Sequence, residues 1–365
     1  MRSVLHVGLD AVSHSKEGLR KGFLAAGFTE YHFFNWQTVQ LNEGILGCQA
    51  RMIQAAKNIL PDLIFIQIQL PGILDEETVT ELSKCGFAVN YTFDVRDAER
   101  TEWMYELAPY FGLTLFACKE DADEARRRGI NNVGNIHSSC DPDLYRPLEV
   151  PCDCSCHKDH GPGNYMNHIV ACCEGGVLKG EKRRQRLQSK YGYPDIVFIG
   201  NNYERTNLGF EKSKEREEMV NFMKKEFGDR FGTFGMNWGA QSRIINPDEE
   251  VRIYNSAKIV ICHNNFYRTG YASDRQWRSM ACGAAVVFHS YPGFEKDEES
   301  SDHPAWRHTS HLLSICDELL HNERWRVQVG AECRIDFLQR HTWKHRIESI
   351  KSMIHEQRAA ASNPL

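Results

Sequence analysis

The stretch KIVICHNN (258–265), SDRQWRSMACG (273–283) and AAVVFHS (284–290) reads as strand, helix, strand. Each strand-like run is short, continuous and rich in Val and Ile, as expected of strands buried on both faces of a parallel sheet. The helix opens on Ser273 and stops at Gly283. Working back toward the N-terminus, DIVFIGNN (195–202), KEREEMVNFMKKEFG (214–228) and FGTFGMNW (231–238) repeat the pattern, and a short helix is expected around EEVRIYNSA (249–257). Toward the C-terminus, HTSHLLSICDELL and ERWRVQVGAECRIDFLQRH read as helices, and a last helix is expected from Thr342 to about Arg358.

The first part of the chain alternates in the same way. VLHVG, YHFFNW, LIFIQIQ, FAVNYTF, LTLFAC and NVGNI are the expected strands; SKEGLRKGFLAAGF, CQARMIQAAKNIL and EETVTELSKCG are among the helices between them. Strands separated by helical segments require right-handed crossovers, hence a parallel sheet. The pattern breaks after Pro147, where a Cys/His/Gly-rich segment runs into the basic stretch KGEKRRQRLQSK. The expected organisation is an α/β chain of two Rossmann-like domains: 1–148, an insertion or interdomain element at 149–192, a second domain at 193–341, and a helix with its tail at 342–365.

With 365 residues, 11% aromatic and 25% charged, the chain has enough material for two cores and lies outside the compositional range of disordered proteins. A net charge of -5 argues against a protein that coats nucleic acid non-specifically. MRSVLHVGLD reads as a first strand rather than a secretory signal, and the 13 cysteines, several within apolar segments, suit a reduced cytoplasmic protein. No stretch is long and apolar enough to predict a membrane span.

The strings FIGNNYERTNLGFEKSKEREEMVNFMKKEFGDRFGTFGMNWG (198–239), YNSAKIVICHNN (254–265), GYASDRQWRSMACGAAVVFHSYPGFE (270–295) and HTWKHR (341–346) resemble the CgeB-type, spore-coat glycosyltransferase-like family of GT-B enzymes. VNYTFDVR (89–96) and CDPDLYRP (140–147) add weaker support. The resemblance implies the GT-B fold, parallel sheets facing a central cleft, and a nucleotide-sugar donor, most often a UDP-sugar, held by the C-terminal domain without a catalytic metal. Its donor-binding candidates are Gly8, Gly200, Asn201, Asn202, Trp238, Asn264, Ser273, Asp274, Arg275 and Gly283. Gly200-Asn201-Asn202 follows a strand and can aim N–H groups at a diphosphate, or be an ordinary turn. Ser273 can cap a helix as well as meet a ligand, and Arg275 offers a bidentate fork to phosphate. Arg216 can serve an anion or be part of a helix face, and the solvated face is the expected reading. Many retaining relatives carry two Glu residues where this chain has Gly270 and Arg278, which leaves Asp274 or Glu295 as substitutes.

On the acceptor side, Asp94, Asp10 and Arg96 are the catalytic candidates, with Asp94 the expected general base; equally, Arg96 forms a structural ion pair with Asp94 or with Asp97. His14, His137 and His263 near strand ends read singly as hydrogen-bonded histidines. Cys152, Cys154, Cys156, His157, His160, Cys172 and Cys173, with His168 nearby, are ligand types suited to a structural zinc; a loosely packed insertion is the other reading. The acceptor is open between a hydroxymethylated DNA base in a bacterial or phage-infected cell, reached through basic residues such as Lys182, Arg184 and Arg186, and a surface polysaccharide, protein or small molecule. A non-catalytic binding protein is the alternative class. A dehydrogenase is disfavoured because VGLDAV and IGNNYE each hold one glycine and no Gly-x-Gly-x-x-Gly follows either first strand.

Overall fold

A computed structural model describes residues 1–10, 15–92, 98–148, 175–206, 210–239, 242–294 and 303–362. Two wholly parallel sheets form. In the first, β1 (Ser3–Gly8), β2 (Glu30–Asn35), β3 (Leu63–Ile66), β4 (Phe87–Thr92), β5 (Leu113–Phe116) and β6 (Val133–Asn135) take the order β2-β1-β3-β4-β5-β6. The second holds β7 (Ile196–Ile199), β8 (Phe231–Phe234), β9 (Ile259–Ile261), β10 (Ala285–His289) and β11 (Ala305–Trp306) in the order β11-β10-β9-β7-β8. Counted within each half, the order is 2-1-3-4-5, with a sixth strand added at the far edge of the first sheet, so each sheet reverses direction between its first and third strands. That reversal opens a crevice beyond the carboxyl ends of β1/β3 and of β7/β9, the usual ligand position in such sheets.

The connecting helices are α1 (Ser15–Ala25), α2 (Trp36–Ile59), α3 (Glu76–Ser83), α4 (Ala98–Leu107), α5 (Lys119–Arg127), α6 (Gly175–Tyr191), α7 (Ser213–Phe227), α8 (Pro247–Ser256), α9 (Asp274–Ala281), α10 (Thr309–His321), α11 (Glu323–Asp336) and α12 (Trp343–Ser362). Strands β1, β3, β4 and β5 carry apolar side chains on both faces, which explains their continuous apolar runs.

The structure departs from expectation in three places. Helix α2 starts at Trp36, well before CQARMIQ, capped by Asn35 and kinked at Gly44, whose φ of 75° is open to glycine. Its first half leaves Leu41 and Leu46 exposed, so no buried stripe marks it in the sequence. Strand β11 is two residues long, too short to give a periodic signal. The basic stretch of α6 is not a uniformly solvated face: Arg184 is buried against Glu181 at 3.0 Å, and Glu181 also meets Arg326 of α11 at 3.0 Å. Lys182, Arg186 and Lys190 remain exposed.

The last helix belongs to the first sheet's core. Trp343, Ile347, Ile350 and Ile354 of α12 pack with Leu19 and Phe23 of α1 and with Val4 and Phe65 of the sheet. Gly22 permits this approach, since a Cβ there would lie 2.5 Å from that of Trp343. Lys351 Nζ donates to Ala26 O at 2.7 Å, satisfying a carbonyl at the end of α1. Among the described residues the chain therefore crosses between the halves before Leu148 and again through the π-helical turn Phe337–His341, where Ser139 Oγ donates to His341 O.

Candidate functional site

The second half's crevice is built from the segments after β7, β9 and β10 and from the first turns of α7 and α9. Its most unusual occupant is Arg216. On α7, Ser213, Arg216, Met219, Val220 and Met223 share the buried face, so the guanidinium is carried inward among apolar neighbours, and Arg216 has 0% exposure. It donates from Nη1 to Asn201 O at 3.1 Å and from Nη2 to His263 O at 2.9 Å, bridging the ends of β7 and β9. Among the described residues no carboxylate forms an ion pair with it, and its Nε has no hydrogen-bond partner. Burial, and then the like charge of Arg275, pull its pKa down to about 9. The expectation of a solvated Arg216 is thus overturned.

Arg275 lies in the first turn of α9 and donates to Ser273 Oγ at 2.9 Å. Ser273 does not cap the helix with its side chain; its hydroxyl is shared between Arg275 and Asp274 Oδ1. Asp274 forms a 2.5 Å ion pair with Arg278, which also reaches Glu250 at 3.3 Å. Glu250 accepts in addition from Tyr145 Oη and Tyr254 Oη. Burial raises the Asp274 pKa, and the charges of Arg278 and Arg275 more than reverse it, holding the group below the ordinary carboxylate range. Arg278, at one of the positions where the resemblance implies Glu, is therefore consumed in internal pairing. Gly270 (φ 66°) packs against Lys119 of the first half, and Glu295 lies outside the described residues.

Asn264 is a junction. Its Oδ1 accepts from Ser273 N at 3.1 Å, its Nδ2 donates to Tyr271 O at 3.2 Å, and its own N–H points at His289 Nδ1 at 3.3 Å. These bonds hold the loop that leads into Arg275. Gly200 and Asn202 do not aim their N–H groups at the crevice, because these donate to Phe234 O and Met236 O. Asn201 Oδ1 accepts from Met236 N at 2.9 Å, Trp238 Nε1 donates to Gly200 O at 2.6 Å, and Asn202 Nδ2 donates to Glu217 Oε1 at 3.0 Å. The loop is braced against the segment after β8, and its carbonyl, Asn201 O, is what Arg216 reads. Gly283 is placed by its φ of 71° just past the C-terminal end of α9, opposite the end that carries Arg275, so it stops the helix and does not reach the crevice.

Beneath Arg216, His263 and His289 stack at 4.4 Å, and Trp306 lies 4.5 Å over His289. Glu215 Oε1 is 3.1 Å from His289 Nε2 and 3.8 Å from His263 Nε2, and its Oε2 meets Lys212 Nζ at 2.7 Å. The bond from His289 leads the effects that hold Glu215 down to about 2. These three side chains are the group among the described residues with metal-ligand proximity.

The first half's crevice is chemically different. His6, on β1, is buried and bonded on both ring nitrogens, to Gln67 Oε1 at 2.8 Å and Tyr31 Oη at 2.6 Å, and burial lowers its pKa to about 4. Gly8 lies directly over it: a Cβ there would be 2.5 Å from His6 Nε2. Asp10 is exposed and paired with Lys16 at 3.1 Å. His137, buried, packs against Trp277. Asp94, Arg96, Asp97 and His14 lie outside the described residues, as do Cys152, Cys154, Cys156, His157, His160, His168, Cys172 and Cys173. The halves also touch across the cleft, where Glu120 accepts from Arg268 Nη1 at 3.1 Å and from Thr269 N at 3.2 Å, and Lys119 N donates to Thr269 O at 3.1 Å.

Sequence reasoning missed Glu215 and His289, and for Arg216 it preferred the solvated face to the anion. For Arg216 a signal existed, since it shares the three- and four-residue spacing of Met219, Val220 and Met223.

Residues 212–352 match the family model described as glycosyl transferase-like. No curated protein matches the chain. Among solved structures, the trehalose 6-phosphate synthase of Burkholderia multivorans is similar over 99% of both chains, at 10% identity and a TM-score of 0.59. HepE of Anabaena, in complex with UDP-glucose, is similar over 99% of this chain and 100% of its own, at 11% and 0.55. The E. coli trehalose-6-phosphate structure bound with UDP-2-fluoro glucose is similar over 96% and 98%, at 10% and 0.58. At such identities the likeness establishes the GT-B fold, and the family match adds that this is a glycosyltransferase-type enzyme. No helix among the described residues is long and apolar enough to cross a membrane.

Proposed function

We propose that the chain transfers a sugar from a nucleoside-diphosphate sugar, with a UDP-sugar the first candidate, to an acceptor hydroxyl. The carrying observation is Arg216: a guanidinium buried without a carboxylate partner among the described residues, beside Arg275, at the carboxyl ends of β7 and β9. An isolated buried charge is costly, and an anion in the crevice would compensate it. A diphosphate suits two guanidiniums, and its departure in the transfer step would be stabilised by charges already in place. The UDP-glucose and UDP-2-fluoro glucose of the two similar structures support the choice of nucleotide.

Asn264 and Ser273 position Arg275, while Gly200, Asn201, Asn202 and Trp238 form the brace that presents Asn201 O to Arg216. Asp10 and Asp94, with Arg96, are the proposed acceptor-side groups, one carboxylate taking the hydroxyl proton. No metal is required for this step. A zinc at Cys152, Cys154, Cys156, His157, His160, Cys172 and Cys173 would be structural. We read the chain as a CgeB-type member composed of the four segments set out above. Hydroxymethylcytosine DNA remains the acceptor to test first, because Lys182, Arg186 and Lys190 are exposed on α6. Thermal melting with UDP, other nucleoside diphosphates and UDP-sugars, followed by mass analysis of candidate acceptors, tests the proposal. Ligand at a hundredfold its Kd stabilises by about 2.7 kcal/mol, so no shift with any nucleoside diphosphate removes the donor reading.

A further inference from the structure

His263 is the least satisfied histidine of the second half. Its side chain is fully enclosed, and neither ring nitrogen makes a well-formed hydrogen bond, the Asn264 backbone giving only a weak one. Buried polar atoms are ordinarily paired, so an imidazole with neither nitrogen properly paired calls for a ligand. The atoms nearest it are themselves ligand types: Glu215 Oε1 is 3.8 Å from its Nε2 and 3.1 Å from His289 Nε2, and ligand atoms of all three residues lie within 4.8 Å of one another.

We propose that Glu215, His263 and His289 bind one divalent transition-metal ion, with zinc the ion to test. Zinc bonds of about 2.0–2.2 Å to nitrogen and oxygen place neighbouring ligand atoms roughly 3–4 Å apart, which the two carboxylate–imidazole distances already meet. Two imidazoles and a carboxylate also suit this class of ion better than magnesium or calcium, which favour all-oxygen shells. The ligands come from three rigid places, the first turn of α7, the segment just after β9 and the last residue of β10. Trp306, stacked 4.5 Å over His289, holds one ring in place. Glu215 is partly exposed and gives the ion a way in.

Two features oppose binding and make the proposal sharp. Lys212 Nζ occupies Glu215 Oε2 at 2.7 Å, so the ion must share the carboxylate with an ammonium group. The Asn264 N–H, 3.3 Å from His289 Nδ1, favours the tautomer with its proton on Nε2, so binding must move that proton to Nδ1 and turn the ring off this weak contact. A bound ion would tie together the elements that carry Arg216 and Asn264.

The test is metal titration of the chelator-stripped full chain with zinc chloride and cobalt(II) chloride. It is run beside a variant carrying Cys152→Ser, Cys154→Ser, Cys156→Ser, Cys172→Ser and Cys173→Ser, which silences the cysteine-rich segment. The expected result is one equivalent bound in that variant, with a cobalt spectrum lacking sulfur-to-metal charge transfer. In the same background His263→Ala and His289→Ala should weaken binding at least tenfold, and Lys212→Met should tighten it several-fold. Circular dichroism checks each fold; should either histidine variant unfold, Glu215→Gln, which keeps shape and a neutral hydrogen bond, reads the same loss. No binding by the five-serine variant, or binding unchanged by the histidine and Glu215 variants, overturns the proposal.

Discussion

The two crevices share a strand order and differ in what lies at their floor. In the first half a histidine is kept neutral and bonded on both nitrogens, under a glycine with no room for a side chain. In the second, an arginine is kept charged and lacks an ion-pair partner among the described residues. The backbone topology offers the same ligand position twice, and the buried side chains make one edge neutral and the other anion-seeking. Fold alone would not have told them apart.

The largest effect that could break this contrast is the loss of both guanidiniums. Arg216→Met with Arg275→Ala should weaken UDP binding by a hundredfold or more, each bond to a charged group being worth about 1.5–3 kcal/mol. Arg216→Met alone should melt no earlier than wild type, because an apolar side chain of similar volume often replaces a buried charge without loss. Calorimetric titration with UDP beside thermal melting checks both; an early-melting Arg216→Met that keeps its UDP affinity would make the arginine a strut between β7 and β9.

Next in size is a pH effect confined to the first half. His6 has a folded pKa of about 4 because burial outweighs its bond to Gln67, against 6.5 when unfolded. The folded state therefore binds fewer protons, and the stability it contributes is present above pH 6.5 and lost as pH falls from 6.5 through 4. The upper bound is on the order of 3 kcal/mol. Denaturant melts across that window should be steeper in pH for wild type than for His6→Gln, and equal slopes would remove the assignment.

Gly8→Ala tests the same floor sterically. Its Cβ would meet His6 Nε2 at 2.5 Å, so the ring must leave Gln67, and a loss of about 1–3 kcal/mol is expected, read from the midpoint of urea unfolding. The smallest stability change belongs to Asp10→Asn. Its pair with Lys16 is exposed and worth at most about 1 kcal/mol, so a large fall in turnover with an unchanged melt would mark Asp10 as the acceptor-side base.

Much of the fold was legible because buried parallel strands write continuous apolar runs, as in LIFI and AVVFH. The first half of α2 was not, since Leu41 and Leu46 point to solvent and leave no stripe. At the site, Arg275 was legible as a cation in the first turn of a helix, where it opposes the dipole. Gly283 follows the end of α9 away from Arg275, and in sequence a glycine after a helix looks the same whichever end faces the cleft. The meeting of Glu215 with His263 and His289 left no local pattern, for it depends on the order β10-β9-β7, which brings distant segments together.

The packing of α12 on α1 has a consequence for the order of events during synthesis. The first half emerges from the ribosome early, yet the core around Phe23 and Phe65 lacks Trp343, Ile347, Ile350 and Ile354 until nearly all of the second half has been made. Domains that complete themselves can fold as they emerge. The core of this first half stays half-covered until the helix that seals it has been made.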